Sequence, residues 1–157
     1  MKRIPLTKGK EALVENQDYK YLMQWKWHTC RPSDGKTLYA RRSSRPQVKM
    51  HRLIAQRMGI AAPLIDHQDR NGLNNQRRNL RPATPSQSSS NRGKLRNNTS
   101  GATGVHERAD CQKWQARIMH RGKCHTRLLD TFDRAVAWRH AKAEQCQGPY
   151  APDEAIT

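Results

Sequence analysis

The sequence predicts an α+β protein composed of two small domains, and three observations carry that prediction. Apolar residues make up 34% of 157 positions and the mean hydropathy is −1.06, so two thin cores are easier to fill than one large one. The stretches TGVHER, KWQARIMH and CHTRLLDTF read as three antiparallel strands separated by the turns ADCQ and RGK, and FDRAVAWRHAKAEQ behind them is an alanine-rich helix. Upstream the pattern changes to short strands and short helices around one polar loop.

Residues 4–30 alternate loosely, and the pairs Tyr19/Tyr21 and Trp25/Trp27, each spaced by two, predict a strand face with the aromatics in the core. Ser33–Gly35 signals a turn, and TLYARR and PQVKM predict two short strands joined by a loop. His51–Met58, HRLIAQRM, has helical spacing and stops at Gly59. Leu64 and Ile65 lead into Asp66 and His67, which places this pair where a strand ends, and NGLNNQRRNL follows as a loop. A further helix enters through Thr84 and Pro85 and frays into a basic connector rich in Ser and Asn. The expected organisation is a domain over 1–92, a basic linker over 93–100, a second domain over 101–150 and a disordered tail over 151–157. In that second domain Trp114, Ala116 and Ile118 share the strand face that packs on the helix, leaving Gln115, Arg117 and Met119 on the other, with Arg108 and Arg127 nearby.

Thirty Lys and Arg against thirteen Asp and Glu give a formal charge of +17, a balance that a polyanion would neutralise, and double-stranded DNA is the expected partner. A membrane partner is not expected, because no long apolar run and no helix with a wide apolar face occurs. MKRIPLTKGKEALVEN lacks the apolar core of a secretory signal, so a cytoplasmic location is expected. Cys30, Cys111, Cys124 and Cys146 are far apart with no C-x-x-C pair and read as free thiols. No Asp or Glu lies between Asp34 and Asp66, nor between Asp69 and Glu107, while Lys and Arg recur through both runs. The basic charge is thus concentrated around Asp66 and His67.

Phosphodiester hydrolysis needs an activated water and charge relief at the phosphate and the departing oxygen. A neutral imidazole with an ordinary pKa near ~6.5 suits the first task if an acceptor holds its other nitrogen. His67 is the expected base and Asn79 the expected acceptor. Asp66 is a hard oxygen ligand for Mg²⁺, an ion that keeps most of its waters and uses few protein ligands. Adjacent residues on a regular strand point to opposite faces, so the pair needs a strand end or a bulge to act together. Arg70, Arg77, Arg78 and Arg81 are expected to clamp neighbouring phosphates, and Arg108, Gln115, Arg117 and Arg127 to read bases in the major groove.

IDHQDRNGLNNQRRNLRPATPSQSSSNR resembles the motif of HNH endonucleases of the phage and mobile-intron homing type, whose nuclease fold is the ββα-metal (His-Me) finger. KMHRLIAQRMG and IPLTKGKEALVENQDYKYLMQWKWH resemble the segments that precede that motif. NNTSGATGVHERADCQKWQARIMHRGKCHTRLLDTF and its helix resemble the Apetala-type DNA-binding domain of plant ethylene-response factors, so the likeness spans about residues 4–148. It implies a metal-dependent DNA endonuclease, with His67 as base, Asn79 orienting it, Asp66 as metal ligand and a further ligand at Ser88. The family usually has Asn or His at that place, and Asn91, one helical turn later, is expected to substitute for Ser88 or to help it.

Two rival readings follow. One is a catalytically impaired, sequence-specific DNA-binding protein descended from such a nuclease, favoured by Ser88. The other is an RNA-binding or nucleoid protein acting through charge alone. His51 reads as a packing and capping residue or as a phosphate contact, Trp114 and Trp138 as core, and His106, His120 and His125 as surface residues. A monomer is expected.

Overall fold

The structure is a computed structural model that describes residues 1–32, 37–91 and 97–151. The turn at Ser33–Gly35, the first half of the expected linker and nearly all of the expected tail lie outside the described residues. The chain divides into two compact units, Met1–Ser88 and Ser89–Thr157. It is a mixed α and β protein with four small sheets among the described residues.

In the first unit, β1 (Lys2–Pro5) and β2 (Glu11–Val14) form an antiparallel hairpin. The next element corrects the reading of the aromatic segment. Residues Asn16–Leu22 form a helix, α1, rather than a strand. The spacing that decides it is Asp18 and Leu22, four apart and both buried, so that one helical stripe faces inward. Tyr19 and Tyr21 flank that stripe and are partly buried against the core, as is Trp25. Trp27 is buried, and its indole N–H donates to the Leu22 carbonyl at 2.8 Å, which closes the chain over the end of α1.

Strands β3 (His28–Cys30), β4 (Tyr39–Arg42) and β5 (Val48–Lys49) form a small antiparallel sheet in chain order, with β4 and β5 where the sequence predicts them. Helix α2 (Met50–Arg57) buries Met50, His51, Ile54 and Ala55. It ends at Gly59, where φ is +73° and the Ile60 N–H reaches back to the Ala55 carbonyl, a left-handed cap that glycine adopts without a Cβ clash. Strands β6 (Leu64–His67) and β7 (Leu80–Ala83) pair as an antiparallel ribbon. Helix α3 (Pro85–Ser90) follows. The Thr84 hydroxyl accepts from the Gln87 N–H while the Gln87 amide oxygen accepts from the Thr84 N–H, a reciprocal capping box. The core of this unit is Ile4, Ala12, Val14, Leu22, Trp27, Ala40, Met50, Ile54 and Leu80, with smaller contributions around them.

In the second unit, β8 (Val105–Arg108), β9 (Lys113–His120) and β10 (Lys123–Leu129) form a three-stranded antiparallel meander. Arg121 and Gly122, at φ +48° and +76°, make the tight β9–β10 turn. Helix α4 (Phe132–Gln147) starts at Thr131, whose hydroxyl accepts from the Arg134 N–H. Val105, Ala116, Ala135 and Val136 form its small core, with Trp114 edge-to-face on Phe132 at 4.8 Å. Among the described residues no helix is long and apolar enough to cross a membrane.

Candidate functional site

The β6–β7 ribbon separates the two residues of the Asp66–His67 pair. Asp66 lies opposite Arg81 and His67 opposite Leu80, and directly opposed residues of an antiparallel pair share a face. Asp66 therefore leaves one face with Arg81, and His67 the other with Leu80. On the first face the Asp66 Oδ2 accepts from Arg81 Nε at 3.0 Å and from its terminal nitrogen at 2.8 Å. Both side chains of this pair are largely buried. His67 is the last residue of β6, so only past the end of the ribbon do the two faces meet.

The loop between β6 and β7 is built by its own amides, with Asp69 at the centre. The Asp69 carboxylate accepts from the Asn71 N–H at 2.9 Å and from the side-chain amides of Asn74 and Asn79 at 2.6 and 2.9 Å. Asn79 also donates to the Asn74 carbonyl at 2.7 Å, and its oxygen accepts from the Asp69 N–H at 3.0 Å. The loop is pinned to β2, since the Leu13 N–H donates to the Leu73 carbonyl and the Asn75 N–H to the Leu13 carbonyl, both at 2.8 Å. The expected role of Asn79 thus moves. Its amide is engaged with the loop, and the residue on the His67 ring is Asn75.

Asn75 is 1% exposed. Its amide nitrogen donates to the Leu73 carbonyl at 3.2 Å, which turns its oxygen toward His67 Nε2 at 3.3 Å. A carbonyl partner on one end of the amide assigns the other end as acceptor, so His67 carries its proton on Nε2 and Nδ1 is the basic nitrogen. Burial holds the His67 imidazole below its ordinary value of 6.5, opposed by the bond to Asn75 and the charges of Asp69 and Asp66. The ring packs edge-to-face on His51 at 5.0 Å, with Tyr39 tilted against both histidines at 5.6 and 5.9 Å. Burial drives His51 down to about 3, with His67, Lys49 and Arg52 adding to the shift. Both imidazoles are neutral at physiological pH.

Gly72 lets Tyr39 take this place. A Cβ there would stand 2.4 Å from the Leu38 carbonyl oxygen and 2.7 Å from Tyr39 Cδ1. Gly72→Ala is expected to lower stability by about 1–3 kcal/mol through overpacking and to move Tyr39 off the histidines. Thermal melts and the ring-current shifts of the His51 and His67 protons in NMR spectra check both effects.

The expected phosphate clamp is half internal. Arg77 donates twice to Asp18, at 2.7 and 2.8 Å, and Arg81 is held by Asp66, whereas Arg70 and Arg78 are exposed. Ser88 is half-buried on α3 and Asn91 is buried just after it, on the other side of the division between the units. In the second unit Gln115 and Arg117 share the open sheet face with Thr126 and Leu128, their register partners, and Arg108 lies opposite Lys113 on that same face. Arg108 forms an exposed ion pair with Asp110, and the Gln115 amide oxygen meets His106 Nε2 at 2.8 Å. Arg127 does not join them. It lies opposite Ala116, which is on the helix-facing side, because one residue of register reverses the face.

Over 87 residues the chain is 32% identical to Protein 3.8 of Escherichia phage T7, a match covering 55% of this chain and 72% of that protein. The chain belongs to the phage T7 Protein 3.8 family. No family model matches it, and no solved structure does. In this member of the Protein 3.8 family the residues missed from sequence are Asn75, Asp69 and Tyr39. Nothing local distinguishes Asn75 from Asn71, Asn74 or Asn79; its pairing with Leu13 of β2 does. Among the described residues no group of three or more His, Cys, Asp or Glu side chains is placed to hold a metal ion. The donors expected from sequence, the Asp66 carboxylate, the Ser88 hydroxyl and the Asn91 amide oxygen, are all oxygens, a donor chemistry that suits Mg²⁺.

Proposed function

We propose that this chain is a metal-dependent DNA endonuclease of the HNH type, with a ββα-metal module around the β6–β7 ribbon and a DNA-binding sheet of Apetala type in the second unit. The observation that carries the reading is His67, a neutral, buried imidazole whose Nε2 is tied to a fixed amide, the state a general base requires. His67 Nδ1 takes the proton of the attacking water, and Asn75 keeps the ring in the productive tautomer. Asp66 and Ser88 would hold Mg²⁺ through oxygen. When bound, the ion supplies charge neutralisation at the scissile phosphate and at the departing 3′ oxygen. Arg70 and Arg78 contact neighbouring phosphates, and Arg108, Gln115 and Arg117 face the groove. The protein acts as a monomer in the cytoplasm of a phage-infected bacterium.

A second reading, DNA binding without hydrolysis, has its own support. Asp66 shares its charge with Arg81 and leaves the ribbon on the face opposite His67. Supercoiled plasmid incubated with protein and Mg²⁺, with and without EDTA, separates the two readings. Nicked or linear DNA that EDTA abolishes supports the nuclease, and intact circles with tight, salt-sensitive binding support the binder. Since the base must be neutral and its pKa is lowered, the acid limb of a kcat/KM profile is expected below pH 6.5. A limb above that value would remove His67 as the base.

A further inference from the structure

The packing of His51 leaves one polar atom unexplained. It is 5% exposed, yet its Nδ1 has no hydrogen-bond partner among the described residues. A phenylalanine would fill the same place between Tyr39 and His67 without burying an unpaired polar atom, a cost that stability alone does not reward. A ligand that bonds this nitrogen accounts for it.

The surroundings say what sign of charge that ligand carries. His51 is in the first turn of α2, whose N-cap residue Lys49 makes no side-chain cap and whose first turn has no acidic residue. The N–H groups there keep their partial positive charge. Lys49 and Arg52 are the charged side chains that bear on His51, and the Lys49 ammonium sits 5.0 Å over the ring of Tyr39. At His51 itself a cation would be repelled and an anion drawn in, while the carboxylates of Asp66 and Asp69 bear on the neighbouring His67. The His51 and His67 rings are in edge-to-face contact at 5.0 Å, so a group bound at the first turn of α2 would lie next to His67.

We propose that His51 Nδ1, Lys49 and the N-terminal turn of α2 form an anion subsite beside His67, which binds a non-bridging oxygen of the phosphate whose bond His67 hydrolyses. The identity of that phosphate rests on the nuclease reading, and the subsite itself does not. His51 donates through Nδ1 to the oxygen and thereby orients the phosphorus toward the water held by His67.

The test uses the full chain labelled with ¹⁵N. Long-range ¹H–¹⁵N spectra of the imidazoles are followed as inorganic phosphate, and then a short DNA duplex in EDTA, is added. The His51 Nδ1 resonance is expected to shift with both, and His51→Phe, which keeps the ring and loses the nitrogen, is expected to weaken duplex binding roughly tenfold, the range of one hydrogen bond to a charged group. His51→Asn, which restores a nitrogen donor, recovers part of that loss. A silent Nδ1 resonance with unchanged duplex affinity in His51→Phe overturns the subsite, and the wild-type spectra decide the matter should the variants fail to fold. Plasmid cleavage separates the two proposals: cleavage with a silent His51 removes only the subsite, and a responsive His51 without cleavage removes only hydrolysis.

Discussion

His67→Ala is expected to slow Mg²⁺-dependent nicking of supercoiled plasmid by about 10²–10⁴, the contribution of a positioned general base. DNA affinity should stay near that of the wild type, because the exposed Arg70 and Arg78 and the basic sheet face remain. This split between rate and affinity is the signature of a group that acts on the reacting water rather than on the grip. Removing the imidazole also opens space beside Leu80, His51 and Tyr39, so some stability is lost. Circular dichroism must therefore show a folded variant at the assay temperature. Equal nicking rates for His67→Ala and wild type would end the assignment.

The second large effect is structural. Asp18 is fully buried, and its carboxylate accepts from Arg57 Nε at 2.9 Å and from Arg77 at 2.7 and 2.8 Å. These bonds join α1, α2 and the end of the loop that carries Asn75. Asp18→Ala is expected to lower stability by about 2–4 kcal/mol, at or below the usual loss for breaking a buried ion pair. The value is moderated because the two arginine side chains, 35% and 24% exposed, reach water. The bonds to Arg77 and Arg57 hold the Asp18 carboxyl below its ordinary 3.8 against the opposing effect of burial. Its stabilisation is therefore fully present above pH 3.8 and lost as pH falls through the lower folded-state value. Urea unfolding across acidic pH should show a steeper loss in wild type than in Asp18→Ala, and parallel curves would refute the linkage.

Asp18 also shows how far local pattern reaches. Two pairs of aromatics spaced by two suggested a strand, and the aromatics outnumbered the single Asp18–Leu22 spacing that marks a helix. The two arginines that neutralise Asp18 lie 39 and 59 residues away, beyond any window on the sequence. The same distance problem turned Arg77 from an expected phosphate clamp into an internal ion pair. The meander and α4 were legible because their signals are local, namely alternation along β9, the Arg121–Gly122 turn and the alanine-rich run of α4. So were α2 with its Gly59 stop and the Thr84 entry to α3.

From the sequence alone came a strongly basic chain, two thin cores, the strand ending at His67 and a polar loop rich in asparagine. Only the tertiary structure decided which asparagine meets the imidazole, which arginines are spent internally on Asp18 and Asp66, and that Arg127 lies on the helix side of its sheet. The reason is geometric. Alternation, turns and caps depend on neighbours within a few residues, whereas a hydrogen bond between a loop amide and a buried ring depends on strand register and on β2 pinning that loop, contacts that exist only after the chain has closed on itself.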